Sequence, residues 1–375
     1  MKILIITHGF FPGEKYGGPP VSIDNFCSLM KNDECYIVTL NHDYKSTQPY
    51  PNITEGIWVR RSNCHVMYLD DIHYNKKYFE IAIDQINPDV IYLQSLFQAC
   101  IIPCLRLAKK KNIKTILAPR GELCAGAFKK KYKKIPYLIY LRMNGLTRNL
   151  SYQSTSEEET ATIIRYLKAD KNCIYQMSNI PSIPKEEYVR IVSPKGKGRF
   201  VFISRIHSKK NLISAIKYFN DVSGDVRFDI YGPIEDEKYW DECKKEINEL
   251  PKNIHVNYCG IVSHDKVHEV FCAYDALLFP TFSENYGHVI IEAMIVGTPV
   301  IISDQTPWND INDYEAGWAV PLSEQQNFVE AIQTIVDCDD DYYSKQTKLY
   351  VNKKLKLDEL YDSYVGMLHH RKESD

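Results

Sequence analysis

Two acids, Glu284 and Glu292, stand with seven residues between them in the stretch Ser283-Glu284-Asn285-Tyr286-Gly287-His288-Val289-Ile290-Ile291-Glu292-Ala293-Met294, and Gly297-Thr298-Pro299-Val300 follows. The surrounding pattern reads as strand, loop, helix, strand, with the helix opening at about Tyr286. A helix that opens at the carboxyl edge of a parallel sheet offers unpaired backbone amides and a positive dipole end, a combination suited to phosphate. Gly287 has no side chain where a ligand would approach the backbone. Glu292 lies in the apolar run from Val289 to Val296. Its carboxylate needs hydrogen-bond donors there, and two vicinal ribose hydroxyls would supply them. The bland alternative pairs Glu292 with a structural Arg or Lys and leaves Glu284 as a loop acid.

Two cations stand five residues apart in Ser204-Arg205-Ile206-His207-Ser208-Lys209-Lys210-Asn211, where an apolar strand ends. Fixed cations such as Arg205 and Lys210 stabilise a departing diphosphate without a metal. Lys209 reads as the solvated member of the Lys-Lys pair. A third signal is Tyr16-Gly17-Gly18-Pro19-Pro20 after the first strand. Gly17 and Gly18 would let backbone cover a phosphate, but the three-glycine dinucleotide fingerprint is absent.

The elements that must position these residues form two alternating β/α series. The first has strands at Lys2 to Thr7, Tyr36 to Leu40, Val90 to Gln94, Thr115 to Ala118 and Tyr152 to Ser154; the second has them at Arg199 to Ile203, Phe228 to Tyr231, His255 to Tyr258, Ala276 to Phe279 and Pro299 to Ser303. The fold class is therefore α/β, two doubly wound Rossmann-like domains with their ligand-binding edges on a central cleft. Residues 1–185 form the first domain, 186–198 the linker, 199–354 the second domain, and 355–375 a helix that packs back on the first. The segment from Tyr44 to Leu69, broken by Pro49, Pro51 and Gly56, has no legible order. At 375 residues, 44% hydrophobic and 25% charged, the chain is long enough for two cores. A net charge of -2 argues against nucleic acid as a partner. Eleven scattered cysteines without a Cys-x-x-Cys pair read as reduced thiols. The short apolar start and the absence of a span-length stretch predict a cytoplasmic protein.

These residues resemble family 4 retaining glycosyltransferases of the GT-B fold, of the capsule and O-antigen type. The resemblance runs from the first glycine loop through Arg205, Lys210 and Tyr231-Gly232-Pro233 to the Glu284 and Glu292 pair. It implies a nucleotide-diphosphate-sugar donor, UDP before GDP, and a glycan or lipid-linked acceptor used in cell-surface polysaccharide synthesis. By the same resemblance Glu292 binds the donor ribose and Glu284 lies near the transferred sugar. Asn285, Tyr286, Gly287 and His288 meet sugar hydroxyls and diphosphate, and Arg205 and Lys210 hold the diphosphate. It further implies that the acceptor hydroxyl attacks the face from which the diphosphate departs, the leaving phosphate taking the proton, with no cofactor. No metal is expected, since the acidic Asp337 to Asp341 stretch does not end a strand. The histidine often found after an N-terminal-domain strand is replaced by Pro119-Arg120-Gly121-Glu122. Arg120 or Glu122 takes over acceptor or sugar contact, or either forms a structural ion pair. His288 stands where an aliphatic residue is common. The run Phe128 to Arg142, with Lys129, Lys130, Lys131, Lys133 and Lys134 among aromatics, suits an anionic membrane surface on the inner face; a solvated helix is the alternative. The rival functions are a same-fold epimerase or phosphorylase, or a non-catalytic nucleotide-sugar-binding subunit.

Overall fold

The computed structural model describes residues 1–369 apart from 14, 125–127, 129–130 and 185, and the side chain of residue 131 lies outside the description as well. The chain divides into two units, Met1–Ile180 with Leu357–Asp375, and Pro181–Lys356.

In the first unit the described strands are β1 (Lys2–Ile6), β2 (Glu34–Leu40), β3 (Trp58–Arg61), β4 (Cys64–Leu69), β5 (Val90–Gln94), β6 (Lys114–Ala118), β7 (Ser151–Ser154) and β8 (Ile174–Gln176). They form one sheet in the order β3-β4-β2-β1-β5-β6-β7-β8. All pairings are parallel except β3 with β4. The apolar run of β1 explains its central place: Leu4 and Ile6 enter one core, Ile3 and Ile5 the core on the opposite face, and all four are fully buried. Parallel strands covered on both faces need such unbroken apolar sequence.

The second unit contains β9 (Lys197–Ile203), β10 (Asp225–Tyr231), β11 (Ile254–Tyr258), β12 (Ala276–Phe279), β13 (Val300–Ser303) and β14 (Gly317–Val320), ordered β11-β10-β9-β12-β13-β14. Chain order runs outward from β9 in one direction and from β12 in the other. The switch point, where a parallel sheet leaves room for a ligand at its carboxyl edge, therefore lies between β9 and β12. Arg205 and Lys210 follow β9, and Glu284 follows β12.

Several elements differ from the sequence expectation. The segment from Tyr44 to Leu69 contains a hairpin of β3 and β4, which its prolines and Gly56 obscured. The short β8 and β14 were not anticipated. Residues 186–198, expected as a linker, are fastened to the second unit: Ser193 donates from its amide (3.0 Å) and hydroxyl (2.6 Å) to the buried Asp275, which also pairs with Arg199 at 3.2 Å. The division falls at Ile180 instead.

The terminal helix Leu357–His369 belongs to the first unit. Its buried residues are Tyr364, Met367 and Leu368. Tyr364 lies 5.6 Å from the Phe26 ring and accepts a hydrogen bond from Gln153 Nε2 at 2.8 Å. Lys114 Nζ caps the carbonyls of Met367 and Leu368 at 2.7 and 2.9 Å, so a cation sits at the negative end of the helix. Tyr364→Ala removes a fully packed aromatic side chain and the hydroxyl's hydrogen bonds with Gln153 and Ser178 O. It is expected to destabilise the first unit by about 3 kcal/mol in denaturant unfolding. An unchanged midpoint would show that the helix is not part of that core.

Candidate functional site

The site is organised by two loops tied together at the β9/β12 switch point. Asn211, left-handed at φ 57°, follows the turn Ser208–Lys210 and donates from Nδ2 to Pro280 O at 2.9 Å. Phe282 N donates to Lys209 O at 3.0 Å. Asparagine tolerates this backbone conformation better than most residues, and its buried amide bridges the loops after β9 and β12. The bridge brings Lys210 Nζ into direct contact with the Glu284 carboxylate, both side chains largely buried at 17% and 15% exposure. A pair at this depth has lost much of its hydration, so removing one partner leaves the other's charge uncompensated.

Gly232 sets the companion loop. At φ 137° it lies so close to the end of β9 that a Cβ would fall 1.8 Å from Ser204 O. The approach permits Ser204 N to bond Tyr231 O (3.0 Å) and Ile206 N to bond Pro233 O (2.9 Å). Arg205 then emerges into an ion pair with Glu235, its NH1 2.9 and 3.1 Å from the two carboxylate oxygens. Arg205 and Lys210, expected to act on one diphosphate, thus each hold a separate glutamate. The sequence offered no reason to single out Glu235.

The expected helix begins two residues later than anticipated, as His288–Ile295, because Gly287 at φ 74° and ψ 60° still belongs to the loop. A Cβ there would meet Ile290 Cδ1 at 2.8 Å, so position 287 requires glycine on both backbone and packing grounds. No side chain caps the helix. Gly287 O accepts from Ile290 N (2.9 Å) and Ile291 N (3.3 Å). Glu284 N donates to Gln305 O at 3.0 Å, and Trp308 Nε1 donates to Tyr286 O at 2.6 Å. These two bonds hold Glu284, Asn285, Tyr286 and Gly287 against the loop after β13. The Tyr286 and His288 rings meet edge to face at 4.8 Å.

Glu292, on the first two turns of this helix, is 5% exposed. Its Oε1 has no hydrogen-bond partner among the described residues. The nearest cation-forming group is His264 Nδ1 at 3.9 Å. Burial alone pushes the carboxyl up to about 7. His268, buried and one helical turn beyond His264, is pushed down to about 4, first by burial and then by His264. No Arg or Lys among the described residues pairs with Glu292, and nothing in the spacing of the sequence links residue 264 to residue 292.

In the first unit Gly17 is the left-handed residue before the helix Gly18–Leu29, at φ 75°. Pro19 and Pro20 remove two of the amides this helix mouth would otherwise offer an anion. The corresponding switch point, between β1 and β5, is filled by the protein itself: His8 N donates to Gln98 Oε1 (3.0 Å), and Ala99 N donates to His8 Nε2 (3.3 Å). Arg120, left-handed at φ 56°, donates to Gln94 Oε1 and Asn179 Oδ1, both at 2.6 Å, and to Tyr92 OH at 3.2 Å. Glu122 accepts from Ser95 Oγ (2.8 Å) and Leu96 N (2.6 Å), and its carboxyl is raised by burial. Arg120 and Glu122 are thus braces of the sheet edge; they form no ion pair with each other.

Of the expected lysine patch, Lys129 and Lys130 lie outside the described residues, as does the side chain of Lys131. Lys134 turns inward, 4.4 Å from the Phe97 ring centroid and 3.4 Å from Glu122 O, which corrects its expected place on the surface. Lys133 is exposed. The one described group with metal-like spacing is Glu55, Asp70 and His73, where His73 Nδ1 is already 2.7 Å from Glu55 and 3.0 Å from Asp70.

Residues 185–354 match the family model of glycosyl transferases, group 1. A 41.2 kDa protein in the cps region of Klebsiella pneumoniae is 24% identical over 301 residues, covering 74% of this chain and 77% of that protein. The UDP-N-acetylglucosamine-peptide N-acetylglucosaminyltransferase GtfA subunit of Streptococcus agalactiae is 27% identical over 197 residues, 50% of this chain and 38% of that one. Among solved structures, Anabaena HepE in complex with UDP-glucose is similar with a TM-score of 0.70 and 13% identity, covering 98% of this chain and 99% of HepE. Sucrose-phosphate synthase of Thermosynechococcus elongatus has a TM-score of 0.71 at 15% identity, with 98% of both chains covered. The family match thus falls within the second unit, and both units share the Rossmann-like α/β architecture of the GT-B glycosyltransferase structures.

The Glu292 carboxyl lies above its ordinary value of 4.5, so the folded state holds more protons than the unfolded state between about pH 4.5 and 7. Stability contributed by this group falls as pH rises through that window. Glu292→Gln removes the charged form, so the variant is expected to exceed the parent in stability at pH 8, by up to about 3 kcal/mol, and to match it at pH 4. Unfolding curves that stay parallel across this range would rule out a desolvated carboxyl.

Proposed function

We propose that the chain is a retaining, family 4 type glycosyltransferase that moves a sugar from a UDP-sugar to a hydroxyl of a glycan or lipid-linked glycan. The observation that carries this reading is the convergence, at the β9/β12 switch point, of the Lys210–Glu284 pair and the uncapped helix His288–Ile295 that bears Glu292. The amides at the helix mouth and its positive end take the diphosphate. Lys210 leaves Glu284 for the phosphate oxygens, and Arg205 leaves Glu235, so that two cations neutralise the charge that develops as the glycosidic bond breaks. Glu284, released from Lys210, accepts hydrogen bonds from hydroxyls of the transferred sugar. Glu292, deprotonated, accepts two from the ribose, which replace the partner it lacks.

In this mechanism the acceptor oxygen attacks on the side from which the diphosphate departs, and the acceptor proton passes to the leaving phosphate. No residue of the site is required as a strong base, and the cations do the work a metal would do. The UDP complexes of HepE and of Staphylococcus aureus TarM, proteins of the same fold, favour uridine as the base in this proposal. Lys210→Ala and Glu284→Ala are each expected to lower kcat by about 10²–10³. Both should leave secondary structure intact, and Glu292→Gln should weaken the thermal shift produced by UDP. Near-normal turnover in both alanine variants would refute the site.

The reading also puts the chain in the cytoplasm, at the inner face of a membrane. No helix of the described residues is long and apolar enough to cross a bilayer. The helix Lys131–Met143 instead exposes Tyr132, Ile135, Ile139 and Met143 at 71, 39, 44 and 82% along one face, with Lys133 and Arg142 exposed beside them. Such a stripe seats at the headgroup boundary of anionic lipid. Tyr132→Ser with Met143→Ser is expected to release the protein from phosphatidylglycerol vesicles in sedimentation without altering turnover of a soluble acceptor. Equal sedimentation of parent and variant, or none by the parent, would remove the membrane from the account.

A further inference from the structure

The irregular stretch between β2 and β4 encloses an open hollow of about 600 Å³ in the first unit. β3 is the edge strand, paired only with β4, and its Arg60 and Arg61 are exposed and line the hollow. Arg61 is steadied by the Phe11 ring, 5.7 Å from its guanidinium carbon. Of the neighbouring acids, Asp43 also lines the hollow, and each has partners of its own. Glu55 is held by His73 at 2.7 Å, and Asp71 by His42 at 3.3 Å. Asp43 accepts from the amides of Lys15 (3.1 Å) and Tyr44 (2.8 Å). Two guanidiniums thus border one concavity with no ion-pair partner among the described residues.

The rest of the lining is suited to sugar rings. Tyr50 provides an aromatic wall, and Gln48 and Asn52 bring amides that both donate and accept. The Tyr50 hydroxyl is buried without a hydrogen-bond partner among the described residues. Tyr50 is also locked to the loop after β1, since a Cβ on Gly13 would meet its oxygen at 2.4 Å. Pro12 of that loop also lines the hollow, and the same loop leads to Gly17 ahead of the helix Gly18–Leu29.

We propose that this hollow is an acceptor subsite, and that it takes a glycan residue bearing an acidic group, a carboxylate or a phosphate ester. Planar guanidiniums match either anion with paired N–H donors. The glycan part of the inference rests on the transferase reading; the preference for an anion rests on Arg60 and Arg61.

The test is calorimetric titration of the intact chain with three probes: a glucuronate-containing hexasaccharide, a phosphorylated oligomannose and neutral maltohexaose. An acidic probe is expected to bind ~10-fold tighter than maltohexaose, and its identity separates uronate from phosphate. Arg60→Gln with Arg61→Gln should abolish that gap, whereas Lys76→Gln with Lys77→Gln, which removes equal charge from residues outside the hollow, should retain it. Equal binding of acidic and neutral probes, a gap that survives loss of both arginines, or one lost equally in the lysine variant would overturn the subsite. A UDP thermal shift on the same samples keeps the two claims apart. A normal UDP response without acid preference rejects the subsite alone, and acid preference without a UDP response rejects the donor reading alone.

Discussion

A carboxylate almost wholly withdrawn from water, with one oxygen lacking a hydrogen bond, is an expensive feature for a protein to keep. Glu292 is in that position, on a helix whose other buried residues are Ile290, Ile291, Ala293 and Met294. Desolvation of this kind costs several kcal/mol unless a partner arrives. The cost is intelligible when the partner is a ligand with two adjacent hydroxyls. The elements around it are held in place by specific contacts. The helix starts late because Gly287 is left-handed, Trp308 pins the loop before it, and Asn211 pins the loop that carries Lys210.

The two units treat equivalent positions differently. At the β1/β5 switch point His8 and Gln98 bond to each other's loops, and nearby Arg120 and Glu122 are saturated by Gln94, Asn179, Ser95 and the backbone. At the β9/β12 switch point the charged groups form the pairs Lys210–Glu284 and Arg205–Glu235, and Glu292 Oε1 has no hydrogen-bond partner among the described residues. Satisfied polar networks brace a fold, whereas a buried pair such as Lys210–Glu284 separates only when a ligand compensates both charges. This contrast supports the proposed donor site in the second unit on physical grounds that are independent of the family match to residues 185–354.

Much of this was legible in the residues because the strands of a covered parallel sheet must be apolar throughout. Val90 to Gln94 and Ala276 to Phe279 were located to the residue for that reason. The Glu284 to Glu292 spacing was legible because a helix and its preceding loop are local. What was hidden is non-local or atypical. Glu235 reaches Arg205 across thirty positions, and His264 reaches Glu292 across twenty-eight, from the loop after another strand. The β3–β4 hairpin lies among prolines and charged residues, as an edge strand facing water is free to do. Arg120 and Glu122 were left with two readings, because charge at a strand end is ambiguous until its partners are known.

The most direct measurement is a crystal structure of the protein with UDP. The account predicts both ribose hydroxyls within hydrogen-bonding distance of Glu292, the diphosphate against the amides at the start of the helix His288–Ile295, and Lys210 moved from Glu284 to a phosphate oxygen. A nucleotide bound elsewhere, with Glu292 still unpartnered and Lys210 still on Glu284, would contradict it.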